Sequence, residues 1–187
     1  MSTLTRSSKG FTLLELLMVM LIIGILAAVG TSSFKYVTAS NRISSEINGL
    51  LGDMQFARSQ AIKTGSPVTV CPANSAYTGC SNSTSWSTGW IVFLDFNGNG
   101  TVDTANNDTV IRTQLALSSD TLVSSVSTFK YITFNREGYA SPSGVTGWAT
   151  INLNSNPANA QWRRCLAVSS VGALTVEKSG ASAPTTC

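Results

Sequence analysis

The sequence predicts an α+β chain in which one long N-terminal α-helix, membrane-spanning over its first half, packs on a C-terminal antiparallel β-sheet head. Three observations predict it. An apolar run of about nineteen residues extends from Phe11 to Val29, close to the roughly 20 that cross a bilayer as a helix. Beyond it, Ile43, Ile47, Leu50, Met54, Ala57 and Ala61 recur at alternating spacings of four and three, which puts them on one helical face. Past Gly65 the apolar period shortens toward two, and clusters of Gly, Asn, Ser and Pro punctuate the chain as they do short strands joined by turns.

The first element is set by charge as well as hydropathy. Arg6 and Lys9 precede the run and no acid does, so the start faces the cytoplasm and the remainder faces outward. A cleaved secretory signal would have a shorter apolar region ending at small residues. Here the small residue before an aromatic is Gly10, at the opposite end of the run. Glu15 lies inside the run, where a carboxylate costs about 2.5–3.5 kcal/mol on insertion scales and is a functional hypothesis by default.

The second element is the amphipathic continuation of the helix, residues 32–65, which has no proline before Pro67. Arg42, Glu46, Asp53 and Lys63 fall off its apolar stripe and are expected to be solvated. Gly49 and Gly52 each cost about 1 kcal/mol relative to Ala and mark an expected weak point.

The third element, residues 66–187, is the β-rich head. Its expected strands are PVTVC, GWIVFLDF, TVIRTQL, FKYITF, WATINL, RCLAVS and ALTV. Cys71, Cys80, Cys165 and Cys187 make an even count after an export signal, which favours two disulfides over a zinc site because no close CxxC pair is present. Cys71 pairs either with Cys80, holding the polar loop from Ala73 to Thr88 at its base, or across to Cys165 or Cys187.

Composition excludes several functions. The charged fraction of 11% is low for a soluble protein, and removing Arg6 and Lys9 from the formal charge of +3 leaves about +1, too little to steer the whole surface toward nucleic acid. The chain has no histidine, the commonest general base, and Asp95, Asp103 and Asp108 carry no sign of a carboxylate pair flanking a cleft. No cofactor and no enzymatic chemistry are expected. DFNGNGTVD places Asp95, Asn97, Asn99 and Asp103 at the oxygen positions of a calcium loop. The glutamate expected six residues after Gly100 is Asn106, however, and Asn-Gly runs between strands more simply turn a hairpin. Trp86, Trp90, Trp148 and Trp162 are read as core packing before a carbohydrate platform.

KGFTLLELLMVMLIIGILAAV resembles the class III leader and N-terminal helix of type IV pilins and pseudopilins. EINGLLGDMQFARSQAIKTGSPVTVC, YITFNREGY and RRCLAVSSVGALTV are similar to the GspH/FimT family of minor pilins and pseudopilins. The resemblance implies a pilin-like fold, a leader of residues 1–10 removed by prepilin peptidase between Gly10 and Phe11, and N-methylation of the new amine on Phe11. It also implies that residues 11–31 form a filament core as well as a membrane span, where Glu15 pairs with the amine of a neighbouring subunit on assembly. Unlike many pilins, the chain has Ser32 where a helix-kinking proline stands.

On this reading the protein sits in a bacterial inner membrane as a single-pass chain with a periplasmic head, with other pilins or pseudopilins and the peptidase as partners. It initiates or caps a type IV pilus or a type II secretion pseudopilus. The alternative is a minor pilin that binds DNA during uptake. DNA-binding members of the family carry a G-R-x-R motif, and the matching stretch here is Gly172, Ala173, Leu174 and Thr175, without either arginine. Arg163, Arg164 and Lys178 remain as candidate DNA contacts, and alternation along a strand lets at most one of the two arginines share a face with Lys178.

Overall fold

The computed structural model describes residues 10–180 and Cys187, without the side chains of residues 29–33. The chain divides between Thr38 and Ala39 into two compact units. Helix α1, Leu13–Thr64, contributes to both and runs through Gly49 and Gly52 without interruption.

In the first unit the helix is apolar on every side. Every residue from Leu13 to Leu26 is exposed, with Leu13 at 83% and Ile23 at 54% of full exposure, and all but Glu15 and Gly24 are large and apolar, so no face of this stretch is covered by the described residues. Among the described residues no helix is long and apolar enough to cross a membrane. The described side chains of this run stop at Ala28, short of the expected end of the span at residue 31.

In the second unit Ile43, Ile47, Leu50, Met54, Ala57 and Ala61 are all buried, and they join one core with side chains from two antiparallel sheets. The strands are β1 Val68–Pro72, β2 Trp90–Leu94, β3 Thr109–Gln114, β4 Thr121–Ser124, β5 Ile132–Phe134, β6 Ala140–Pro142, β7 Trp148–Asn154, β8 Arg164–Ser169 and β9 Leu174–Lys178. The five-stranded sheet has the order β3-β2-β1-β5-β6 and the four-stranded sheet β4-β7-β8-β9. Val70, Val92, Ile132 and Phe134 face the core from the first, and Leu122, Ile151, Leu153, Leu166 and Val168 from the second. Burying a side chain of this size stabilises the fold by about 1.5–3 kcal/mol, so the helical stripe is the seam of the head.

All five residues of β1 are buried. The reason is a second, smaller cluster of Cys71, Ala73, Ile91 and Phe93 on the opposite face, covered by Tyr77, Val102 and Tyr131. Cys71 and Cys80 are bonded and close that layer, while Cys165 of β8 is bonded to Cys187. Trp86 and Trp90 are buried, whereas Trp148 and Trp162 are only partly so.

Three expectations are corrected here. Asp53 is buried, not solvated, and Arg42 and Glu46 are half-buried. Strands β4 and β6 lie outside the strands expected from sequence; the four residues of β4 are held by pairing with β7 and the three of β6 by pairing with β5.

Candidate assembly surface

Helix α1 starts on Thr12. Its hydroxyl accepts the Glu15 N–H at 3.2 Å, and its carbonyl accepts the Leu16 N–H at 3.2 Å. Thr12 and Glu15 thus stand as N-cap and third helical residue, the T-x-x-E pattern of a capping box. The bond satisfies the Glu15 backbone N–H, and Glu15 lies in the first turn, at the positive end of the helix dipole. The T-x-x-E spacing was the signal that could have shown this from sequence. Gly10 and Phe11 are exposed directly ahead of the cap, and Phe11 is 82% exposed.

The Asp95–Asp103 segment is the first part of the connection between β2 and β3. Asp95 is fully buried; its Oδ1 accepts the Asn99 N–H at 3.1 Å, and its Oδ2 accepts the Gly100 N–H at 2.9 Å and the Thr69 hydroxyl at 2.7 Å. Asn97 and Asn99 turn their amide nitrogens toward Asp103 Oδ2, at 3.4 and 2.6 Å. The hydrogen bond from Asn99, followed by that from Asn97, holds the Asp103 carboxyl below its ordinary range. Gly100 has φ +75°, and a Cβ there would fall 2.4 Å from the Tyr131 ring. The oxygens of this loop serve its own N–H groups, which is a turn architecture. Among the described residues no group of three or more Cys, Asp or Glu is placed to hold a metal ion.

The basic candidates separate. Arg164 stands directly opposite Lys178 in the β8–β9 pair, and its Nη1 donates to the carbonyls of Gln161 and Arg163 at 3.1 and 2.9 Å. Arg163 precedes β8 and donates from Nε to Asn154 Oδ1 at 2.9 Å. Gly172, at φ +78°, packs against the Gly138 carbonyl and the Arg58 guanidinium, so the stretch matching the basic motif is a close-packed turn.

One polar cluster escaped sequence reasoning. Arg42 forks onto Asp120, with Nε 2.6 Å from Oδ2 and Nη2 2.8 Å from Oδ1, and Asp120 Oδ1 also accepts the Asn156 N–H at 2.8 Å. Burial works to raise the Asp120 pKa, but these bonds outweigh it and hold the carboxyl below its ordinary value. Glu46, one turn along from Arg42, is raised to about 7, first by burial and then by Asp120.

Comparison with known proteins agrees with this architecture. The family described as Type II transport protein GspH matches residues 46–172, more than half of the chain, and the Prokaryotic N-terminal methylation motif matches residues 5–31. A crystal structure of the type IV minor pilin FimU of Pseudomonas aeruginosa (strain PAO1), in space group P21, is similar with a TM-score of 0.54 and 17% identity, covering 73% of this chain and 89% of that one. FimU in space group P65 gives 0.48 and 16%, covering 75% and 90%. No curated protein matches the chain. With a pilin-type helix and head, and with both sequence models in place on them, the chain belongs to the GspH family of minor pilins and pseudopilins.

Proposed function

We propose that the protein is a non-enzymatic structural subunit that helps to initiate or cap a type IV pilus or a type II secretion pseudopilus. The observation that carries the reading is the first unit: a capped helix whose apolar side chains from Leu13 to Leu26 are exposed all round. A helix apolar on every face requires lipid or other helices around it. The N-terminal methylation motif lies on the same segment and supports alternation between those two surroundings, membrane before assembly and helix bundle after it. Prepilin peptidase would cut after Gly10, and the head would stand on the periplasmic side.

Glu15 then gives assembly a register. Inside a helix bundle an unpaired carboxylate costs several kcal/mol, and a neighbouring subunit's Phe11 amine relieves that cost at one axial offset. Glu15→Val keeps the helix apolar and removes the pairing group. It should leave the processed protein in the membrane at normal level and lower its amount in sheared filaments about tenfold, the equivalent of about 1.4 kcal/mol. Wild-type amounts of the variant in the sheared fraction would contradict the proposal.

A further inference from the structure

We propose that a cleft at one end of the four-stranded sheet, lined by Asn154, Ala158, Asn159, Ala160 and Arg163, binds a tetrahedral oxyanion such as a phosphate or sulfate group. The cleft has a volume of about 230 Å³. It lies where the end of β7 meets the approach to β8, with the intervening loop forming its wall.

Its polarity follows from two hydrogen bonds. Arg163 Nε donates to Asn154 Oδ1 at 2.9 Å, and the Gln161 backbone N–H donates to Asn159 Oδ1 at 2.9 Å. Neither a guanidinium Nε–H nor a peptide N–H can accept, so both amide orientations are fixed by their partners. Each asparagine oxygen is therefore occupied, and each amide has its NH₂ group left to offer. The terminal nitrogens of Arg163 make no hydrogen bond among the described residues. The polar side chains of the lining are thus two amides and one guanidinium in an otherwise apolar wall, and no carboxylate is among the lining residues. The groups free to bond a ligand there are all donors, which disfavours a cation and suits the acceptor oxygens of one anionic group.

The surroundings strengthen the match. Arg164 and Lys178 face each other on the adjoining strands, and Glu177 stands one pair further along, opposite Cys165. Asp120, which touches the same loop at Asn156, is neutralised by Arg42. The loop is also held before any ligand arrives: Ser155 Oγ accepts the Asn159 N–H at 3.0 Å and donates to the Pro157 carbonyl at 2.9 Å. A donor set fixed in advance loses little freedom on binding.

The test is a titration of the processed full-length protein in detergent with potassium phosphate, potassium sulfate and potassium chloride at constant ionic strength, read by the side-chain ¹⁵N–¹H resonances of Asn154, Asn159 and Arg163. Phosphate and sulfate should shift them saturably, with half-saturation near about 1 mM, and chloride should not. Arg163→Gln should weaken the response at least about tenfold, whereas Arg164→Gln, whose guanidinium is turned onto backbone carbonyls, should leave it intact. Asn154→Asp keeps the acceptor for Arg163 Nε and adds a negative charge to the cleft, so it should abolish binding in a folded protein. A short oligothymidylate identifies the source: no tighter response than free phosphate marks a free anion or monoester, and a tighter one marks a phosphodiester. Equal responses to chloride and sulfate, or equal losses in the Arg163 and Arg164 variants, would overturn the site.

Discussion

The indole Nε1 of Trp90 donates to Asp53 Oδ2 across 2.8 Å, tying helix α1 to strand β2 inside the core. Arg112 of β3 reaches the other oxygen at 2.9 Å and lies 4.7 Å over the Phe56 ring, so one carboxylate joins three elements. Asp53→Ala leaves a buried indole N–H without its acceptor and should destabilise the head by about 2–3 kcal/mol. Asp53→Asn retains an oxygen for Trp90 and should lose only about 1 kcal/mol. Urea unfolding of the full chain in detergent separates the two, and wild-type stability in Asp53→Ala would refute the arrangement.

Glu46 predicts a pH dependence of opposite sign to that of a paired carboxylate. Its pKa rises from the ordinary 4.5 to about 7 in the folded chain, so between those values the native state holds a proton that the unfolded chain has released. Stability therefore falls as pH rises from 4.5 through about 7 and levels off above. Its Oε2 is buried, which disfavours the charged form, and the protonated carboxyl can donate to Asp120, which Arg42 keeps ionised. Glu46→Gln should match the wild type near pH 5 and exceed it by about 1–2 kcal/mol near pH 8, after allowing for partial exposure. Parallel pH profiles of the two proteins would rule this out.

The helix stripe was legible because its signal is local: six apolar residues at spacings of four and three report one face without knowledge of what covers it. The off-stripe charges were not. Asp53 finds Trp90 and Arg112, and Arg42 finds Asp120, far along the chain, and periodicity does not encode such partners. β4 and β6 failed for a related reason, since TLVS and ASP are too short to show alternation and owe their strand state to neighbours. At the N-terminus the signal is local again: Thr12 and Glu15 stand at T-x-x-E spacing, which is legible as a cap without any distant partner.

Processing provides a direct chemical readout. Mass spectrometry of protein extracted from membranes should find N-methylated Phe11 as the first residue, because Lys9, Gly10, Phe11 and Glu15 lie within the segment matching the methylation motif. A mature protein that begins at Met1, or after Ala27 or Ala28, is the result incompatible with pilin-type maturation.

Tight DNA binding is not expected. Phosphate contacts supply most non-specific affinity, and the turn at Gly172 carries neither arginine of the G-R-x-R motif. Of the remaining cations, Arg164 is turned onto backbone carbonyls and Arg163 has its Nε on Asn154 and only its terminal nitrogens to offer, which leaves Lys178 with its neighbours as a small patch. An anion cleft at Arg163 accommodates one phosphate group, which contributes about one contact to the salt dependence and does not track a duplex. Gel-shift titration of the full chain in detergent at about 150 mM salt should show no complex below about 1 µM, the tight end of non-specific binding. Any weak binding should have a log–log salt slope no steeper than about −3, the limit for three phosphate contacts. Sub-micromolar binding that is lost in Arg163→Ala or Arg164→Ala would replace the structural-subunit reading with that of a DNA receptor.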